Sequence, residues 1–162
     1  MEEHIPIPRE TYGKAKLEGE KLCLNEVHNG LDITIVRPRT ILGHGRLGIF
    51  HILFNWISEG YNIPVLGKGD NQYQFIHAED LAEACILAAE EEGFNIYNCG
   101  ATEFGSIRET LESLCLHANT GSKVKSLPQL PATMLMKVTS RLGLTPLGAY
   151  HSLMYGRSFY FD

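Results

Sequence analysis

Residues 33–37 read Ile-Thr-Ile-Val-Arg, a short β-branched apolar run without the polar alternation of a half-solvated strand. Such a run needs cover on both faces, which a parallel sheet layered with helices supplies. Its flanks agree. Residues 12–28 carry an amphipathic helical pattern that stops at the turn pair Asn29-Gly30, and Pro38, unable to donate to a sheet ladder, is expected to end the strand.

The remainder alternates in the same way, with no internal repeat and no low-complexity linker. Leu47 to Glu59 is a strongly apolar helical segment containing Trp56 and ending at Gly60, with Phe50, Leu53, Phe54 and Ile57 expected to face the core. Residues 63–66 read as a short strand, 67–71 as a glycine-rich turn, and 73–77 as one alternating strand. A helix is expected from Ala78 to about Glu91, with Glu79 and Asp80 in its first turn suiting the helix dipole and Asp80 capping or orienting it. A strand at 94–98 follows. Ser106 and Glu109 have the spacing of a capping box for a helix over 107–118. Residues 123–127 suggest another strand, 132–142 a last helix, and the aromatic tail to Phe161 a turn and a strand. With 162 residues, 44% of them apolar, one domain with its own core is expected.

Chemistry enters at Tyr12-Gly-Lys-Ala-Lys16. That spacing sets a phenol one helical turn before an ammonium on the same face. A fixed cation beside a phenol favours the phenolate, so the pair suits proton transfer at a carbinol or ketone while a hydride leaves or arrives. The pentapeptide alone is weak, since a solvated helix face produces the same spacing. Other chemistries fare worse. The seven histidines form no ligand spacing such as H-E-x-x-H, so no metal site is expected. Cys23, Cys85, Cys99 and Cys115 form no C-x-x-C pair and read as buried free thiols. A formal charge of −5 offers no basic footprint for nucleic acid or an anionic membrane, and no apolar run reaches bilayer length. The acidic start, Met-Glu-Glu-His, differs from a secretory leader, and a cytoplasmic address is expected.

Taken in order, YGKAKLEGEKL, GLDITIVRPRTILGHG, GKGDNQYQFIHAEDLAEA and YNCG resemble the extended short-chain dehydrogenase/reductases, in the NAD-dependent epimerase/dehydratase branch, over about residues 6–120. The resemblance is to the second half of that family. In it a glycine-rich turn, five strands and a catalytic serine or threonine precede the tyrosine, so the implied fold is the C-terminal part of a Rossmann-like parallel sheet with a small α/β substrate-binding region. On this division residues 1–162 form one partial domain, with about 1–45 and 78–100 in the Rossmann part and about 46–77 and 101–162 in the substrate part. Gly43-His-Gly45-Arg-Leu-Gly48 fits the literal dinucleotide fingerprint, but the strand is expected to stop at Pro38, too far ahead for the tight turn it requires. It reads as a loop skirting the substrate.

The resemblance implies roles one residue at a time. Tyr12 is the general acid-base and also borders the cofactor, and Lys16 holds the cofactor ribose and keeps the tyrosine acidic. The backbone at Pro38 faces the nicotinamide carboxamide. Arg39 and Thr40 border the substrate, while Arg37 is structural. Tyr73 stands where nucleotide-sugar members carry a diphosphate-clamping arginine, which favours a neutral or steroid-like alcohol, or a small sugar derivative. The implied cofactor is NAD or NADP, bound weakly or not at all by this chain alone, which is not expected to be active by itself. A sugar-directed epimerase, dehydratase or dehydrogenase portion is the leading reading, beside a 3β-hydroxysteroid-dehydrogenase-like oxidoreductase and a non-catalytic binding or assembly module. The expected partners are a small-molecule substrate and either a second copy or the missing half, joined through helix 12–28.

Overall fold

The computed structural model describes residues 6–8, 11–45, 48, 50–128, 131, 134 and 157–161. In chain order its elements are α1 (Thr11–His28), β1 (Thr34–Pro38), β2 (Thr40–Leu42), α2 (Phe50–Ser58), β3 (Ile63–Leu66), β4 (Gln72–Tyr73), β5 (Phe75–His77), α3 (Ala78–Ala88), β6 (Asn95–Cys99), β7 (Gly105–Ser106), α4 (Ile107–Ala118) and β8 (Val124–Leu127). Three strand pairs are parallel, β1 with β6, β2 with β5 and β3 with β8, and β4 pairs antiparallel with β7. This is the expected α/β chain with a mainly parallel strand set.

Two expectations change. β1 ends at Pro38 as expected, but the chain does not turn into a loop there: the Arg39 N–H still donates to Cys99 O at 2.9 Å, and a separate strand, β2, paired with β5, begins at the next residue. β1 itself is half-buried rather than covered on both faces, and β6 is its one strand partner among the described residues. A proline at its end therefore leaves no ladder acceptor stranded. The alternating run 73–77 is also not one strand. It breaks at Gln74, whose N–H is drawn off the ladder to Phe159 O at 2.8 Å, so that β4 and β5 take different partners.

The core lies in the second part of the chain. Phe50, Leu53 and Ile57 fall on one face of α2, and Ile107, Leu111 and Cys115 on one face of α4, each set at helical spacing. Both faces close on Ile63 and Val65 of β3 and on Tyr73. The hydroxyls of Thr120 and Ser122 donate to Ile57 O, which satisfies a carbonyl at the end of α2. Helix α1, by contrast, buries no residue. Of the four free thiols Cys115 alone is buried, and Cys85 is exposed on α3. His77, not Asp80, caps α3, its Nδ1 accepting from the Glu79 N–H, and that helix closes at Ala88, short of the expected Glu91. The helix expected over 132–142 lies outside the described residues.

The capping box is formed as its spacing predicts. Ser106 Oγ accepts from the Glu109 N–H at 3.2 Å, and the Ser106 N–H donates back to Glu109 Oε2 at 2.7 Å. The backbone bond from Ser106, then the bond from its hydroxyl, hold the Glu109 carboxyl below its ordinary value. A carboxylate with a depressed folded pKa contributes stability that is present above its unfolded pKa and lost as pH falls through the folded one. Ser106→Ala is expected to cost about 1 kcal/mol at neutral pH and to weaken this acid-dependent loss, read by urea unfolding from pH 7 down through the carboxylate range.

Candidate active site

Helix α1 is attached to the sheet by a fork. Arg37 Nε and Nη2 donate to the two carboxylate oxygens of Glu20 at 2.9 and 2.6 Å, a partly buried bidentate pair. Glu20 is eight residues from the C-terminal end of α1 at His28, and Arg37 is three residues past the start of β1. The short connection between them makes α1 antiparallel to β1. Tyr12 precedes Glu20 by eight residues, so at ~1.5 Å per residue it projects about 12 Å further, beyond the carboxyl end of β1. That is the side on which α/β sheets take ligands.

Tyr12 is 63% exposed there, and Lys16 Nζ sits over its ring, 5.6 Å from the centroid. The phenol and the ammonium share a face, as the one-turn spacing predicts. Pro38, at the same end of β1, is exposed, with Cys99 as its partner in register.

Immediately beyond it, Arg39, Thr40 and Tyr73 form one cluster. The Thr40 hydroxyl donates to Tyr73 Oη at 3.2 Å. Tyr73 is only 5% exposed and packs among the rings of Phe50, Phe75 and Phe159, with centroids 5.0–6.1 Å away. Burial pushes its phenol up, and the Thr40 hydrogen bond and the Arg39 charge pull it partly back. Arg39 lies with Cζ 3.7 Å from the Phe161 ring centroid and 6.0 Å from that of Phe159, while its Nη2 donates to Tyr160 O. Burial lowers this guanidinium from its ordinary value, with the nearby Tyr73 opposing. The two groups of site residues join through β1: Arg37 holds α1, and the next three residues are Pro38, Arg39 and Thr40.

Sequence reasoning missed Gln74. Its Nε2 donates to Ala101 O and its Oε1 accepts from the Phe161 N–H, both at 2.8 Å, so one buried carboxamide ties the turn after β6 to the tail. Gly100 makes room for it: a Cβ there would lie 2.5 Å from the Gln74 amide carbon. The only advance signal was the aromatic richness of the tail.

For a nicotinamide cofactor, the residues present suit the nicotinamide and ribose end. Lys16 offers an exposed ammonium, and Pro38 a strand end open on the same side. β1 ends at Pro38, but the expected stretch of loop before Gly43 is absent, because β2 fills it as far as Leu42. A different reason sets Gly43 aside. A Cβ at Gly43 would lie 2.6 Å from the Cβ of Ala78, so this glycine serves the close approach of β2 to the start of α3. Among the described residues no group of three or more His, Cys, Asp or Glu is gathered to hold a metal, and no helix is long and apolar enough to cross a membrane.

The sequence model of the NAD dependent epimerase/dehydratase family matches residues 1–100. An uncharacterized protein of Sinorhizobium fredii is 55% identical over 162 residues, 99% of this chain and 41% of that protein. A UDP-N-acetyl-alpha-D-glucosaminuronate decarboxylase of Bacillus cytotoxicus is 29% identical over 126 residues, 74% of this chain and 39% of the relative. Among solved structures, UDP-glucuronic acid 4-epimerase from Bacillus cereus in complex with NAD superposes with a TM-score of 0.69 at 26% identity, covering 78% of this chain and 43% of that one. The chain thus spans about two fifths of the length of these relatives, and its fold is the corresponding part of their Rossmann-like architecture.

Proposed function

The chain belongs to the NAD dependent epimerase/dehydratase family, and from that premise we propose that it is the catalytic-helix and substrate-binding portion of an NAD(P)-dependent enzyme acting on a hydroxyl or ketone of a sugar-like substrate. The observation that carries the reading is the exposed Tyr12–Lys16 pair, held past the carboxyl end of β1 by the Arg37–Glu20 fork. Tyr12 Oη takes the proton of a substrate hydroxyl, or returns it to a ketone. Lys16, its Nζ 5.6 Å from the centre of the Tyr12 ring, hydrogen-bonds the ribose. Pro38 offers its backbone to the carboxamide, and Arg39, Thr40 and Tyr73 border the substrate. The nicotinamide, when bound, supplies the hydride acceptor or donor. A cytoplasmic setting, where NAD(P) is available, is part of this reading.

Two of the relatives named above are a UDP-N-acetyl-alpha-D-glucosaminuronate decarboxylase and a UDP-glucuronic acid 4-epimerase. Tyr73, in place of a phosphate-binding arginine, favours a substrate that makes fewer demands for positive charge at this wall. The test is turnover in a chimera in which this chain replaces the matching segment of the 55%-identical relative, offered NAD or NADP and a panel of UDP-sugars, free sugars and steroid alcohols. Oxidation of at least one of them supports the reading; cofactor binding without any oxidation contradicts it.

The uncovered face of α1 supports a second element of the proposal, pairing with another copy or with the rest of a longer protein. Leu22 on α1 is 66% exposed, β1 has an open edge among the described residues, and α3 exposes Ile86 and Leu87. Apolar surface and an unpaired edge favour association. Light scattering on the chain alone is expected to give a mass above that of the monomer, and a monodisperse monomer contradicts it.

A further inference from the structure

Five residues near the C-terminus, 157–161, cross the break between β4 and β5 as a strap, and three facts about them belong together. The strap is held by backbone and side-chain bonds on both sides of the break: the Phe159 N–H donates to Gln72 O at 2.7 Å, the Gln74 N–H to Phe159 O at 2.8 Å, and the Phe161 N–H to Gln74 Oε1 at 2.8 Å. The strap in turn holds Arg39, through Tyr160 O and the face of Phe161. And Arg39 Nε is buried with no hydrogen-bond partner among the described residues. A buried donor left without an acceptor is costly, so the rest of the contact must over-determine where this guanidinium lies. The stacked ring and the Tyr160 carbonyl do so, and Gln74 fixes both.

We infer that Gln74 is a positioning residue which acts through the 157–161 strap to set the Arg39 guanidinium beside the substrate loop. It rests on the proposed function only in taking Arg39 as a substrate-bordering group. The coupling itself is a property of the fold. A guanidinium stacked on a ring and bonded at one nitrogen has lost most of its rotamer freedom before any ligand arrives. Gln74 does this without a hydrogen bond to Arg39 among the described residues. Its carboxamide is suited to the task because it must donate to Ala101 O and accept from the Phe161 N–H at once, which a carboxylate cannot do.

The experiment uses the chimera with nitrogen-15 labelling and reads the Arg39 Nε–H resonance. With the strap docked, that proton is shielded from water and gives a slowly exchanging signal. Gln74→Glu keeps the acceptor for Phe161 but turns a carboxylate toward Ala101 O, and is expected to speed Nε–H exchange at least tenfold or abolish the signal. Phe161→Ala removes the ring and leaves the Gln74–Ala101 bond, and is expected to do the same. Methyl resonances of Ile107 and Leu111 should stay in place in both, which separates release of the strap from unfolding. With an active chimera, KM for the substrate rises about tenfold in either variant while kcat and cofactor affinity hold. An Arg39 signal that exchanges as slowly in Gln74→Glu as in the parent overturns the inference. A chimera without turnover counts against the proposed function, and the resonance still decides this one.

Discussion

Tyr12→Phe is expected to lower turnover of the chimera by roughly 10²–10⁴-fold, the range for removing a positioned general acid-base. The substitution deletes one oxygen from a side chain that is 63% exposed and on a helix that buries no residue, so it removes chemistry without removing packing. Cofactor affinity should hold, because Lys16 and Pro38 are untouched, and the fall should appear in kcat more than in KM. Steady-state kinetics with equilibrium cofactor titration checks both. Loss confined to binding would assign Tyr12 to recognition rather than proton transfer. Turnover equal to that of the parent would leave the pair as a solvated helix face.

The second large effect belongs to stability and falls in a different part of the chain. Leu111 is 0% exposed, at the centre of the contact between α4, α2 and β3. Leu111→Ala removes its buried methyl groups and leaves a space that rigid neighbours fill incompletely, at a cost of about 2–5 kcal/mol. Against a typical total of roughly 5–15 kcal/mol, that is a large fraction. Leu22→Ala, on the uncovered helix, should cost no more than about 0.5 kcal/mol in the monomer. Urea unfolding of the two variants beside the parent measures the contrast. Equal losses would mean that α1 is packed against something in solution, which is the association proposed above.

Local rules carried far along this sequence, and tertiary ones did not. The α4 capping box was legible because Ser106 and Glu109 are three residues apart and satisfy each other whatever surrounds them. The Tyr12–Lys16 face was legible for the same reason, one helical turn being enough to define it. Pro38 was read as a strand end, and as far as β1 goes it is one. That the chain would resume as β2 depends on β5, which no local pattern near residue 40 announces. Gln74 is the clearest case. Its place in an alternating run promises one continuous strand, and the run breaks because a distant segment, 157–161, competes for its backbone and side chain. The aromatic setting of Arg39 was hidden for that reason too: Phe161 reaches it only in the folded chain.

The account stands on proton removal by Tyr12 as a hydride passes between a carbinol carbon and a nicotinamide. A single turnover of the chimera, with oxidised cofactor and an accepted alcohol either unlabelled or deuterated at the carbinol carbon, tests it most directly through the absorbance of reduced nicotinamide. The predicted result is a burst of reduced cofactor that is slower with the deuterated alcohol and absent in Tyr12→Phe. A burst of the same rate in Tyr12→Phe, or cofactor bound with no reduction by any alcohol, would contradict it.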